Sequence, residues 1–492
     1  MVLLSEKEED MATKDRVSRI FKLGKDQASL DFVDVDISTD TAVFISPKAL
    51  RDLNSNWGHK CISLVQDFFG HVLQLIRAGD HSRAVDLLST LREPNETHLG
   101  LSRGKSRGRG LGSQSATDVW LALTQSGAAQ SGLLTDLEET ALLIKGIGVD
   151  LVSDITTNII RDPLIEYTQD MADQYKIPLR DQVDSGPLWD GNMKQWKNEH
   201  TRLPMTREGK LILVPKVIVR QYPFYDIGRY FRGYLLEDLQ TKHLNANTSL
   251  VYALKDGRRK VNKSAIIDDI GGSKKENVVE ETLKSPSSFE RYKAERNAES
   301  FDPLSHDDIA DIKRAKHPDW DQLLADVVNI PRGRDTASAY ESAVEALLTA
   351  LLYPDLVYPI AQHKLHDGRQ RVDITYNNEA HKGFFRWLSS HYTAPQIFVE
   401  CKNYTSDIAN DELGQILMRF SPSRGKVGFI VSRSFKNKAL FEQRCIDTVS
   451  DNRGFVVALD DGDLRQLVED RKSQIAFQEW PHLREKFRRL IN

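Results

Sequence analysis

The chain has 492 residues, 40% of them hydrophobic and 28% charged, with a formal net charge of −4. That length accommodates roughly two to four domains with ordinary cores. The charge excludes a globally basic polyanion binder, so any nucleic acid would be held by local patches.

Cys61, Cys401 and Cys445 lie far apart with no CxxC pair. This argues against a disulfide framework or a zinc site and suits a reducing cytoplasm. The opening "MVLLSEKEEDMATKDR" is charged and lacks the apolar stretch of a signal peptide. No segment reaches the roughly 18 apolar residues of a membrane span. A cytoplasmic protein without membrane contact is expected.

In chain order, "LDFVDVDISTDTAVFIS" alternates Phe32, Val33, Val35 and Ile37 with Asp34 and Asp36, which predicts a half-buried strand. Two carboxylates on one strand face can hold a metal, but with no Lys or His beside them an exposed strand face is the plainer reading. "HKCISLVQDFFGHVLQLIRAGDHSRAVDLLSTL" predicts two helices broken at "AGD". The loop "GLSRGKSRGRGLGSQS" comes near a phosphate-binding P-loop, but Gly100 and Gly104 enclose three residues where that motif needs four. Its Arg103, Lys105, Arg107 and Arg109 alternate with small residues, a composition that contacts a nucleic-acid backbone without reading bases, or is simply solvated. Helices follow in "ATDVWLALTQSG", "LLTDLEETALLI" and "SDITTNIIRDPLIEYTQDMADQY", then a strand with a proline irregularity in "KLILVPKVIVRQY". Residues 1–269 therefore read as a mixed α/β region for recognition, sensing or assembly. Residues 270–334, charged and poor in core residues, read as a linker with helical segments.

From 335 the pattern becomes regular. "SAYESAVEALLTALL" places Tyr340, Val344, Leu347, Leu348 and Leu351 on one helical face. "DLVYPIAQHKL", "QRVDITY" and "QIFVECKNY" predict three strands, the last two separated by an insertion containing Phe384, Phe385 and Trp387. "DELGQILMRF", "KVGFIVS", "NKALFEQRCIDTVS" and "GFVVALD" complete an α-β-β-β-α-β-α-β-α order. That order predicts a mixed central sheet flanked by helices.

Alternation along "QIFVECKNY" puts Glu400 and Lys402 on one face, roughly 7 Å apart. In "RVDITY", Asp373 shares a face with Thr375. If these strands are neighbours, Asp373 and Glu400 converge. With the Cys401 carbonyl they form an oxygen-rich site suited to Mg²⁺, and Lys402 is placed to position water or stabilise charge. Alternatives stay open. Asp373 could cap a turn after "HDGRQ". Glu341 sits in "SAYE", a capping-box pattern with Ser338 as N-cap; Glu345, one turn on, competes with it as a metal ligand. Gln415 is either a site residue or part of a polar helix face.

These motifs together resemble the PD-(D/E)xK nuclease superfamily, and within it the Mrr-type restriction endonucleases. "YESAVEALLTALLY" resembles the opening helix, "RVDITY" the second-strand aspartate, "VECKNY" the E-x-K strand and "ELGQIL" the following helix. Val372 stands where the name-giving proline would be. The resemblance covers roughly a quarter of the chain. It implies a restriction-endonuclease-like core in residues 335–492, and a Mg²⁺-dependent (or Mn²⁺-dependent) endonuclease cutting DNA, with RNA not excluded. Glu341, Asp373, Glu400, Lys402 and Gln415 would be catalytic, and Asp373, Glu400, the Cys401 carbonyl and Glu341 would hold the metal. A role in restriction or anti-phage defence is implied, with a homodimer or larger assembly and a neighbouring defence subunit as partners. A structure-specific repair nuclease, an RNase and a non-catalytic nucleic-acid scaffold are the alternatives.

Overall fold

The computed structural model describes residues 15–100, 113–365, 370–405, 408, 410–473 and 477–492. It is a mixed α/β protein with two hydrophobic cores. No helix among the described residues is long and apolar enough to cross a membrane.

The first core begins at Val17. Its short strand β1 (Phe44–Ile45) precedes α1 (Asn56–Ala78) and α2 (His81–Ser89). The predicted break falls between them: Gly79 takes φ +78° and Asp80 caps α2 through the Arg83 N–H. Helices α3 (Val149–Ile159) and α4 (Arg161–Tyr175) follow. A long hairpin, β2 (Leu179–Asp190) and β3 (Gln195–Thr206), is extended by β4 (Gly209–Lys210), and β5 (Val219–Arg220) pairs back to β1. The hairpin is anchored by Trp189, edge-on to Phe68 of α1 at 4.9 Å between ring centroids.

Two predicted strands form differently. Phe32, Val33, Val35 and Ile37 are all buried, and so is Asp34, so the segment has no exposed face. Side chains take the backbone groups a ladder would use: Gln27 donates to the Phe32 carbonyl and accepts from the Asp34 N–H. Asp34 accepts from the Ser18 N–H and hydroxyl at 2.7 and 2.8 Å. "KLILVPKVIVRQY" is likewise interrupted, with a 3-10 turn at Lys216–Ile218 between β4 and β5. The two segments still meet, Val33 N–H donating to the Val214 carbonyl and Lys216 N–H to the Asp31 carbonyl.

Within 270–334, α5 (Lys275–Lys284) and α6 (Pro286–Ala298) bury Val278, Phe289 and Tyr292 in the first core. This stretch is therefore packed structure and not an exposed spacer. After α7 (His306–Lys313), α8 (Trp320–Val328) sends Leu324 and Val327 into the second core.

The second core surrounds a five-stranded sheet. Helix α9 (Ala337–Leu352) leads into β6 (Leu356–Leu365) and β7 (Gln370–Asn378). The insertion is a helix, α10 (Gly383–His391), whose Phe384 and Phe385 are fully buried. Then come β8 (Gln396–Lys402), α11 (Asn410–Leu417), β9 (Val427–Ser432), α12 (Lys438–Ser450), β10 (Phe455–Leu459), α13 (Asp461–Lys472) and α14 (Pro481–Ile491). The sheet order is β10-β9-β8-β7-β6, parallel across the first three and antiparallel across the last three.

An edge strand leaves backbone donors without ladder partners. In β6 the first unit supplies them: Tyr358 N–H donates to Asp31 (3.0 Å) and Ala361 N–H to Gln174 of α4 (2.6 Å). The Glu345 carboxylate of α9 adds a buried tie, pairing with Lys25 at 2.7 Å and accepting from Tyr175 and Thr349.

Candidate active site

Strand β8 is central because Ile397, Phe398 and Val399 are fully buried and β9, its parallel neighbour, is buried throughout. Its antiparallel register with β7 pairs Ile397 with Tyr376, Phe398 with Thr375 and Val399 with Ile374. One step further, Asp373 lies opposite Glu400. There the ladder changes: the Cys401 N–H donates to the Asp373 carboxylate at 2.8 Å. The two strands are thus neighbours across the long insertion, and Asp373 is a strand residue and not a turn cap.

Glu400 and Lys402 are 3% and 7% exposed, and their charged ends meet at 3.1 Å. Lys402 also donates to Gln415 Oε1 of α11 at 3.4 Å, which brings Gln415 to the site. Burial raises Glu400 to about 7, helped by Asp373 and opposed by Lys402. For Lys402 burial acts downward, but Glu400 and Asp373 outweigh it and hold the ammonium charged. The second Glu400 oxygen, Oε1, is buried without a hydrogen-bond partner.

Glu341 reaches this group from α9. The helix is preceded by Thr336 with no side-chain cap, so Ser338 lies inside it and the capping-box pattern is not used. Instead Glu341 Oε1 accepts from Gln362 Nε2 at 2.5 Å. Burial, then its contact with Asp373, pushes Glu341 up to about 8. Glu345 turns toward Lys25, Tyr175 and Thr349, away from this cluster. The Cys401 thiol is pushed far up by burial and by three carboxylates, which disfavours its thiolate, and its side chain is partly buried against the second core.

Two supporting residues had no signal in the sequence. Gln362 sits at φ +53° in irregular β6, and only the tertiary fold aims it at Glu341. Asn403, directly after Lys402, donates to the carbonyls of Pro331 and Gly333 and to the Thr336 hydroxyl. It thereby clamps the segment that starts α9, and with it Glu341.

Other sequence candidates do not join the site. Arg103, Lys105, Arg107 and Arg109 lie outside the described residues. Asp34 is used by Ser18 and Lys313, and Asp36 by Ser38.

Among the described residues no three His, Cys, Asp or Glu side chains converge as a ready metal cage. Mg²⁺ does not demand one, since it keeps several waters and takes one or two carboxylates. The donor set fits such an ion. It is all oxygen, it includes an unpartnered buried carboxylate oxygen, and two of its carboxyls are raised by burial and then by a third carboxylate, whose repulsion a dication would relieve.

Comparison with known proteins touches the other half. Residues 22–226 match DUF8370, a domain of unknown function. The DUF8370 region thus runs from before β1 to just past β5, and every residue of the cluster just described lies beyond it. No curated protein and no solved structure matches the chain.

Proposed function

We propose that residues 335–492 form a metal-dependent endonuclease of the PD-(D/E)xK type, most similar to Mrr-type enzymes, that hydrolyses phosphodiester bonds in DNA. The observation that carries this reading is the pairing of Asp373 with Glu400 and Lys402 on one sheet face, fixed by the Cys401 N–H. The mixed five-stranded sheet with this cluster on its central strands also supports a restriction-endonuclease-like core.

Asp373, Glu400, Glu341 and the Cys401 carbonyl would hold Mg²⁺ or Mn²⁺, which when bound polarises the phosphate and lowers the pKa of water. Cys401 N–H orients Asp373, and Gln362 orients Glu341. Lys402, kept charged by Glu400, holds the attacking water and offsets charge on the phosphoryl oxygens. Gln415 accepts from Lys402 and so fixes the direction of the ammonium. Burial of Glu400 and Lys402 excludes bulk water and strengthens each of these interactions.

One such site cuts one strand, so double-strand cleavage needs two copies, and a homodimer or larger assembly follows. Restriction or anti-phage defence in the cytoplasm, alongside a neighbouring subunit, is the role that suits a nuclease fused to a large second unit. The test is plasmid nicking with Mg²⁺, Mn²⁺ or EDTA by wild type, Glu400→Ala and Lys402→Ala. Nicking that needs metal and both residues supports the reading, and nicking in EDTA overturns it.

A further inference from the structure

We infer that the DUF8370 region forms one wall of a groove that holds the DNA strand flanking the cut. This rests on the nuclease reading. A cleft of about 830 Å³ opens where the two units meet. One side is Asn54–Trp57 at the start of α1, within the DUF8370 match. The opposite side is the end of α10, with Arg386 and His391. The floor includes Asn377 of β7 and Gln396 of β8, and Arg424 enters from the turn before β9.

The floor and the catalytic cluster share one face of the sheet. Gln396 and Asn377 are paired directly across β8 and β7. Each lies four residues from its catalytic counterpart, Glu400 or Asp373, so strand alternation points all four the same way, about 13 Å apart. That distance is about four base-pair rises along the axis of duplex DNA. His363, hydrogen-bonded to Thr375 at 3.2 Å, lies between the two ends.

The chemistry suits a phosphodiester backbone. The chain carries 71 acidic residues against 67 lysines and arginines, yet among the described residues no Asp or Glu side chain lines this cleft. Arg386 and Arg424 form no ion pair with a carboxylate among the described residues, and Arg424 Nε is buried without a partner. The remaining lining is largely amide, hydroxyl and imidazole groups, the donors that contact phosphate and sugar. The wall is also fixed to the floor. Glu379, directly after β7, accepts from the Asn54 and Ser55 N–H groups, the latter at 3.2 Å.

The test is fluorescence anisotropy of the full-length chain with a labelled DNA duplex in EDTA, so that nothing is cut. Arg386→Glu with Arg424→Glu is expected to weaken binding at least tenfold and to lower the salt slope by about two. Asn54→Asp with Asn56→Asp, nearly isosteric changes at exposed positions of the DUF8370 wall, is expected to weaken it several-fold. Arg489→Glu, at an exposed residue of α14 that pairs with Glu485 and does not line the cleft, should leave it unchanged. If the wild type binds and cuts but both double variants bind as tightly, the groove is wrong and the nuclease reading stands. If the wild type neither binds nor cuts DNA, both fall.

Discussion

The backbone N–H of Cys401 donates to the Asp373 carboxylate at 2.8 Å, where a strand carbonyl would ordinarily accept. A side chain has replaced a ladder bond, and that substitution locks the aspartate beside Glu400. Asp373→Asn keeps an acceptor oxygen and should cost no more than about 1 kcal/mol of stability. On the nuclease reading it should reduce nicking at least a hundredfold, because the charge and not the hydrogen bond would serve the metal. Denaturant unfolding and nicking rates measured on the same variant separate the two effects.

Gln362 donates to Glu341 and favours its ionised form. Gln362→Ala should therefore move the pH midpoint of activity upward and weaken Mg²⁺ binding by roughly 10- to 100-fold. A pH–rate profile with the same midpoint as wild type would remove Gln362 from the site.

Glu400 at about 7 and Glu341 at about 8 lie above the carboxylate values of the unfolded chain. The folded chain then holds protons that the unfolded chain has released. The stability they contribute is present below the unfolded pKa and is lost as pH rises through about 7 to 8. In EDTA the melting temperature should fall from above the unfolded carboxylate pKa of about 4.3 up to about pH 8 and level off beyond it, and Mg²⁺ should flatten the fall. Buried Asp355 and Glu138, each raised to about 7, add slope of the same sign. The difference between wild type and Glu400→Gln isolates the site's share.

Lys25 pairs with Glu345 one turn beyond Glu341, so the first unit grips the helix that carries a candidate ligand. Lys25→Ala strands a buried carboxylate and should destabilise the protein by roughly 3 kcal/mol. Adding Glu345→Gln should recover most of the loss, and a double-mutant cycle in urea measures it. Additive effects would mean that the pair does not couple the units.

Much of the second unit was legible from its residues. "IFV" and "VGFIV" are too apolar to be anything but central strands, and alternation alone places Glu400 and Lys402 on one face; Asp373 joins them only through the pairing of β7 with β8. Apolar Phe384 and Phe385 in the insertion signal burial, but their helix leaves β7 and β8 as neighbours, which spacing could not reveal. The first unit was harder to read. The β2–β3 hairpin is exposed and buried in blocks rather than in alternation, so it lacks the two-residue hydrophobic period that marks strands. The alternation of "FVDVDI" pointed to a half-exposed strand, but Asp34 is buried because Ser18 and Lys313 are brought to it from distant segments. Gln362 and Asn403 act through tertiary contacts that carry no local pattern.

The most direct test of the central claim is metal-dependent nicking of supercoiled DNA by wild type beside Lys402→Ala and Glu400→Ala. Cutting is expected with Mg²⁺ or Mn²⁺, none in EDTA, and a loss of at least a hundredfold in either variant. Cutting in EDTA, or wild-type rates from Lys402→Ala, would contradict it.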